Sequence, residues 1–97
     1  MNAEKIISDW HDKKFPGKNE VEVAAKFGEE SGEVIGAIIK TSEGRATETQ
    51  IKEELGDALI VLSVLCGRRG WDLHSVRDER FRQILERHGD SVSSAST

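Results

Sequence analysis

The sequence is short of the residues that mark disulfide-bonded, secreted or membrane proteins. Its 97 residues include one cysteine, one proline and no tyrosine. The lone Cys66 has no partner for an intramolecular disulfide, which fits a reducing compartment. The longest apolar stretch, residues 58–66, is far shorter than the roughly 18 residues of a membrane span, and the first residues lack a signal-peptide pattern. We therefore expect a cytoplasmic protein without a membrane partner.

The chain also lacks an excess of positive charge. Its 14 lysines and arginines are outnumbered by 18 aspartates and glutamates, so the formal net charge is −4. Such a chain is poorly suited to binding a nucleic-acid polymer, although a bound cation would let it take a small anionic ligand. With 97 residues it forms one domain at most, and its core is thin. Oligomerisation is therefore expected.

Strand signals are scarce, because apolar and polar residues rarely alternate. The apolar periodicity instead predicts an all-α fold of four helices. We place them at about residues 3–13, 20–40, 48–69 and 73–88, separated by Pro16-Gly17, the loop around Gly44, and Gly70. Thr47 and Asp72 are the expected N-caps of the third and fourth helices. Residues 1–88 are thus interpreted as the domain, and residues 89–97 as a disordered tail.

A short repeat lies within the second and third predicted helices. Residues 29–35 read EESGEVI and residues 53–59 read EELGDAL. At about 100° per residue, Glu30 and Glu54 fall within the apolar stripe of their helices, whereas Glu33 and Asp57 lie on its shoulder. Each helix therefore directs a pair of carboxylates, three residues apart, toward an apolar interior.

The two pairs are spaced to meet across a helical hairpin. The length of helix from Glu33 to the end of the second helix equals, to within a turn, the length from the start of the third helix to Glu54. A short loop makes the two helices antiparallel, so the pairs lie at the same height. Four facing carboxylates must either take up protons or bind hard cations, and oxygen ligands suit Mg²⁺ or Mn²⁺. No E-x-x-H motif of a di-iron bundle is present. The alternative interpretation is a pair of solvated acidic faces.

The side of these helices opposite the acids is made of small residues. Mid-helix glycine costs up to ~1 kcal/mol relative to alanine, which a close helix–helix approach would offset. One short chain has too few helices to cover both faces, so we expect a bundle completed by homodimerisation; an exposed glycine ridge is the alternative. The small residues are Gly28, Gly32 and Gly36 on the second helix, and Gly56, Ser63 and Gly67 on the third.

The pattern Glu30-x-x-Glu33, 20 residues, then Glu54-x-x-Asp57 resembles the signature of the MazG-like nucleotide pyrophosphohydrolases. The resemblance covers about residues 5–88. The superfamily is all-α and includes dimeric dUTPases, dCTP pyrophosphatases and phosphoribosyl-ATP pyrophosphatase. It implies hydrolysis of a (d)NTP between the α- and β-phosphates to a (d)NMP and pyrophosphate. It also implies that the four acids hold catalytic Mg²⁺ (Mn²⁺ being a possible substitute), in a homodimer or a tetramer formed as a dimer of dimers.

The resemblance suggests further substrate contacts. The family places a lysine and an arginine, seven residues apart on the last helix, against the phosphates, and the matching positions here are Arg80 and Arg87. Trp10 and Phe15 flank the first turn, where the family places pocket residues, and an aromatic ring there can stack on a base. His11 is a candidate hydrogen-bond partner of the base or sugar.

Each substrate contact has a structural alternative. The arginines, and Lys26 as a further candidate for the phosphates, are equally explained as solvated surface residues, and Trp10 and Phe15 as anchors of the first helix. We expect Phe27, Trp71 and Phe81 in the core, with Cys66 buried beside them. Phosphoribosyl-ATP pyrophosphatase activity is a rival assignment of substrate. A non-catalytic helical dimerisation module, which would not bind Mg²⁺, is a rival of a different class.

Overall fold

The computed structural model describes residues 2–90 and contains, within that range, four α-helices and no strand. The all-α prediction is confirmed, and each helix begins and ends within two residues of its expected bounds. The expected disordered tail lies outside the described residues from position 91 onward. No helix in the described range has the length and apolar character needed to cross a membrane. The helices are α1 (Ala3–Lys14), α2 (Glu20–Ser42), α3 (Glu48–Arg68) and α4 (Leu73–Arg87).

Local capping sets where the two long helices begin. Thr47 caps α3 as predicted, in a capping box in which its backbone N–H donates to Gln50 Oε1 at 2.8 Å. Asn19 forms the equivalent box at the start of α2, where its Oδ1 accepts from the Glu22 N–H at 2.8 Å. Asp72 occupies the N-cap position of α4, but its carboxylate accepts from the Ser75 hydroxyl at 2.7 Å instead of from a backbone N–H.

A small apolar core holds α1, α2 and α3 together. Val23 of α2 packs with Val61 and Val64 of α3, and Ile7, Phe27 and Leu65 surround them. α2 and α3 form a hairpin along their length, and α1 packs on α3. This hairpin is what brings the two acidic repeats side by side.

Gly67 is the point of closest approach between α1 and α3. A Cβ built on Gly67 would clash with the backbone oxygen of Glu4 and with the side chain of Ser8. Ser63, one turn before Gly67, is buried. On α3, therefore, part of the small-residue face is covered by α1 of the same chain, and a second chain is not needed to explain that glycine.

α4 packs weakly against the rest of the chain, and two core predictions fail because of it. Trp71, just before α4, and Phe81 on α4 are both about half exposed, and among the α4 side chains only Leu85 is buried. Phe27 does pack against the core, and Cys66 is buried, as predicted. The sequence could not distinguish apolar residues that the single chain buries from those that it leaves on its surface.

One face of the α2–α3 hairpin has no cover. Cβ atoms added at Gly28, Gly32 and Gly36 would meet nothing within 4 Å. The radius of gyration is 16.1 Å, whereas a compact domain of this length has one of about 12.5 Å. The face through which the homodimer is predicted to form is thus uncovered in the single chain. The dimer itself stays a prediction. The exposed apolar surface of α2 and α3 includes Ile35, Ile38, Ile39, Leu55 and Leu59.

Candidate metal and substrate site

Three of the four predicted acids meet between α2 and α3. Glu30, Glu54 and Asp57 each offer one carboxylate oxygen to a cluster whose atoms lie within 4.8 Å of one another. Glu30 and Glu54 are half-buried, and Asp57 is exposed. The cluster exists because the hairpin places the two repeats at the same height. Hard divalent cations take such carboxylate ligands, so the arrangement can hold one.

Glu33 lies outside this cluster, although it stays within electrostatic range. Burial, followed by the negative charges of Glu33, Asp57 and Glu30, raises the pKa of Glu54. Glu33 is itself exposed. The structure therefore brings three of the predicted ligands together, whereas the side chain of the fourth, Glu33, is exposed to solvent.

The cluster is only partly neutralised by protein cations. Lys26 Nζ lies 3.4 Å from Glu30 Oε1 and 3.1 Å from Glu29 Oε2, and these contacts, that with Glu29 first, raise the pKa of Lys26. No lysine, arginine or histidine in the range 2–90 pairs with Glu54 or Asp57. Carboxylate oxygens are ligands that suit Mg²⁺ or Mn²⁺, and two of these three acids have no cationic partner among the described residues, so the residues fit such an ion.

A cavity of about 830 Å³ joins the acids to the aromatic side chains of α1 and of Phe15, the residue that follows it. Its walls include Glu30 and Asp57 at the acidic end, and its volume lies in the usual range of small-molecule sites. Val23, Val61 and Val64 of the core form part of its lining. The substrate candidates that also line it are Trp10, His11, Phe15 and Lys26.

The aromatic residues at this cavity are not core anchors. Trp10 is 57% exposed and Phe15 is 45% exposed. Their rings meet edge to face with centroids 6.2 Å apart, and the His11 ring lies 5.3 Å from Phe15 at a tilt of 48°. Exposed rings at an open cavity offer flat apolar faces to a ligand.

Arg80 and Arg87 are not brought to the acids. Both are exposed on α4, neither lines the cavity, and Arg80 Nη1 donates to Gln83 Oε1 at 3.0 Å. α4 begins beyond the end of α3, whereas Glu54 lies in the first half of α3. In the single chain, therefore, these arginines are not part of the cavity that the acids line.

A polar network that no sequence motif indicates joins α1 to the end of α3. Asp12 Oδ1 accepts from Arg68 Nη2 at 2.6 Å and lies 3.1 Å from His11 Nδ1. The hydrogen bond from Arg68, and then that from His11, lowers the pKa of Asp12. Beside this network, Arg69 forms a two-armed ion pair with Glu20 at 2.9 Å. Asp12 and Arg68 are 56 positions apart, and no motif links them.

Comparison with known proteins places the acids in a family context. The family model described as the MazG nucleotide pyrophosphohydrolase domain matches residues 19–92. Neither the curated proteins nor the solved structures give a match to the chain. The matched range contains the hairpin with all four acids, whereas α1 with its aromatic side chains lies outside it.

Proposed function

The chain belongs to the MazG nucleotide pyrophosphohydrolase family, and from this premise we propose that it hydrolyses a (deoxy)nucleoside triphosphate between the α- and β-phosphates. The products are a nucleoside monophosphate and pyrophosphate. One observation carries the proposal: carboxylates from two repeats meet at one end of a cavity whose other wall is aromatic. A nucleotide has the matching composition, with an anionic chain at one end and a flat base at the other.

Glu30, Glu54 and Asp57 are the proposed ligands of Mg²⁺, for which Mn²⁺ can substitute. Glu33 completes the set by rotating its exposed side chain toward the cluster. When bound, the cation would neutralise phosphate charge and lower the pKa of a water molecule, which are the usual contributions of metals to phosphoryl chemistry. The chain contributes the fixed positions of the carboxylates on two packed helices, so that the phosphate chain meets a preorganised site.

Lys26 and the α1 side chains are proposed to bind the rest of the nucleotide. The Lys26 ammonium already lies beside Glu30, so a small rotation would let it contact phosphate oxygens. Trp10 and Phe15 offer their faces to the base. Arg80 and Arg87 remain proposed phosphate contacts that depend on the assembly, because the single chain holds them away from the cavity.

We also propose that the functional form is a homodimer or a dimer of dimers in the cytoplasm. The exposed apolar surface of α2 and α3 is the expected contact, since exposed apolar side chains in this density mark interaction surfaces. Nucleoside triphosphates and Mg²⁺ are both cytoplasmic, which supports that location.

A turnover panel tests the activity. Each common NTP and dNTP is incubated with the protein, with Mg²⁺ or EDTA, and the products are separated by chromatography. We expect a monophosphate and pyrophosphate, lost with EDTA and with Glu54→Gln. Glu48→Gln is the matched control, because Glu48 is exposed in the first turn of the same helix. A diphosphate and phosphate as products would refute the proposed cleavage position.

Two rival functions give different outcomes in the same assay. A phosphoribosyl-ATP pyrophosphatase would leave the whole panel intact and hydrolyse phosphoribosyl-ATP, with the same dependence on Glu54. A non-catalytic dimerisation module would hydrolyse nothing. It would also show no Mg²⁺ binding at millimolar concentration that Glu30→Gln removes.

A further inference from the structure

One oxygen atom of Asp12 joins α1 to the end of α3. Asp12 Oδ1 accepts from Arg68 Nε at 3.2 Å and from Arg68 Nη2 at 2.6 Å. The same guanidinium donates to the backbone oxygen of Lys18 at 2.7 Å, and the Arg68 side chain is only 19% exposed. Asp12 is thus held in one place by a largely buried arginine that is itself fixed by two acceptors.

The position of Asp12 determines which nitrogen of His11 carries the proton. His11 Nδ1 lies 3.1 Å from the same Asp12 oxygen. A carboxylate can only accept, so Nδ1 must donate, and the Nε2 of the neutral ring is then an acceptor. The hydrogen bond from Arg68, and then that from His11, holds the pKa of Asp12 below its usual range, so this carboxylate stays an acceptor to a lower pH than usual.

The ring that carries this acceptor lies at the candidate substrate cavity. His11 is among the residues that line the cavity, and its ring packs on Phe15. Within residues 2–90, the His11 ring is hydrogen-bonded through Nδ1, and Nε2 has no protein partner. A neutral acceptor repels phosphate oxygens, which are acceptors too, whereas nucleobases carry N–H donors, at positions that differ from base to base. The acids that serve the phosphates belong to α2 and α3, not to α1.

We propose that Arg68 and Asp12 are positioning residues that hold His11 with its proton on Nδ1, so that His11 Nε2 accepts a hydrogen bond from an N–H of the substrate's base. This inference rests on the proposed nucleotide substrate and adds a residue that determines base specificity. Phe15 fixes the plane of the ring, and Asp12 fixes its rotation. The contact discriminates between bases, because only those that place an N–H opposite Nε2 complete it.

The positioning half of the proposal is tested without any nucleotide. Long-range proton–nitrogen NMR of the ¹⁵N-labelled chain, at a pH where imidazoles are neutral, reports the tautomer of each histidine. His11→Gln identifies the His11 signal among those of His74 and His88. We expect the Nδ1–H form, a loss of that preference in Asp12→Ala and partial retention in Asp12→Asn, which keeps an acceptor oxygen. Asp9→Ala, on the same helix, is the control. A wild-type His11 protonated on Nε2 would overturn the proposal.

The base-contact half is tested by kinetics on the preferred nucleotide. His11→Phe keeps a ring beside Phe15 and removes the acceptor. We expect KM to rise about 3- to 10-fold, the usual range for one neutral hydrogen bond, with kcat within twofold and with weaker discrimination among the bases. Asp12→Ala should likewise raise KM and leave kcat nearly unchanged, and Asp12→Asn should partly restore KM.

The two measurements separate failure of the inference from failure of the proposed function. An unchanged KM and base preference in His11→Phe would overturn the base contact even if the NMR shows the Nδ1–H form. Absence of turnover with every nucleotide would refute the proposed function, and with it the base contact, whereas the tautomer measurement would still decide the role of Asp12.

Discussion

At the scale of single residues, Glu54 carries the strongest electrostatic conflict in the acid cluster. Burial, together with the charges of Glu33, Asp57 and Glu30, raises its pKa in the folded chain. A carboxyl with a raised folded pKa binds its proton more tightly in the folded state than in the unfolded state. The resulting contribution to stability is fully present below the unfolded pKa and is lost as the pH rises through the raised folded pKa. Without a cation, the ionised cluster destabilises the fold at neutral pH.

Glu54→Gln is accordingly expected to stabilise the metal-free protein while it removes the metal response. In EDTA at neutral pH, the Tm should rise by a few degrees, because the amide removes one of the repelling charges. The gain should shrink when the pH is lowered through the raised pKa, because wild-type Glu54 then becomes protonated. Circular dichroism melts with EDTA and with Mg²⁺ measure both effects, and Glu48→Gln serves as the control. A lower Tm for Glu54→Gln in EDTA at neutral pH would contradict the account.

Lys26 is expected to compete with the cation and to assist the nucleotide. Its ammonium lies beside Glu29 and Glu30, so Lys26→Met removes a positive charge from the cluster. Titration calorimetry should then show Mg²⁺ binding several-fold tighter without nucleotide, whereas kinetics should show a higher nucleotide KM. Lys40→Met, at the far end of α2, is the control. Weaker Mg²⁺ binding in Lys26→Met would show that the lysine does not compete for the acids.

At the scale of elements, the helices could be read from the sequence because their signals are local. Thr47 with Gln50 begins α3 through contacts within four residues, and Gly70, with a φ of +74°, follows the end of that helix. The acid hairpin was predictable for the same reason, since periodicity and loop length place Glu30 against Glu54. The pair of Asp12 and Arg68 was not predictable, because two charged residues far apart in sequence have many possible partners.

The crossing of α1 over α3 depends on a glycine, which gives a test at this scale. Gly67→Ala introduces a Cβ against the Glu4 backbone and the Ser8 side chain, and backbone atoms cannot move aside cheaply. We expect a loss of about 1–3 kcal/mol in the free energy of unfolding, the usual cost of overpacking. Urea unfolding measures it. Gly56→Ala, where nothing lies within 4 Å of the new Cβ, is the control and should not be destabilised. Equal stabilities for Gly67→Ala and wild type would refute the close crossing.

At the scale of the whole molecule, the chain exposes more apolar surface than its size requires. The exposed surface of α2 and α3 and the half-exposed Trp71 and Phe81 share one physical origin, since four helices with a thin core cannot cover one another. Periodicity predicts which residues of a helix are apolar, but it does not state whether the same chain or a second copy buries them. For this reason the placement of α4 and its arginines was the least predictable part of the fold.

Ile35→Glu tests whether that surface is an interface. Ile35 is 60% exposed in the single chain, so the change should leave the monomer folded. If two copies bury this surface, a charge there should shift the molar mass measured by light scattering toward that of the monomer. Ile6→Glu, at a half-exposed apolar position on α1, is the control. An unchanged mass for Ile35→Glu, or a monomeric wild type, would contradict the proposed dimer.

The central claim is that the acids of α2 and α3 form a metal-dependent centre that cleaves between the α- and β-phosphates. The most direct measurement is ³¹P NMR of one reaction with a mixture of nucleoside triphosphates, followed before and after Mg²⁺ is added to the metal-free protein. We expect no change before the addition, and afterwards matched growth of monophosphate and pyrophosphate signals that Glu54→Gln does not produce. Signals of diphosphate and inorganic phosphate, or growth that is equal with and without Mg²⁺, would contradict it.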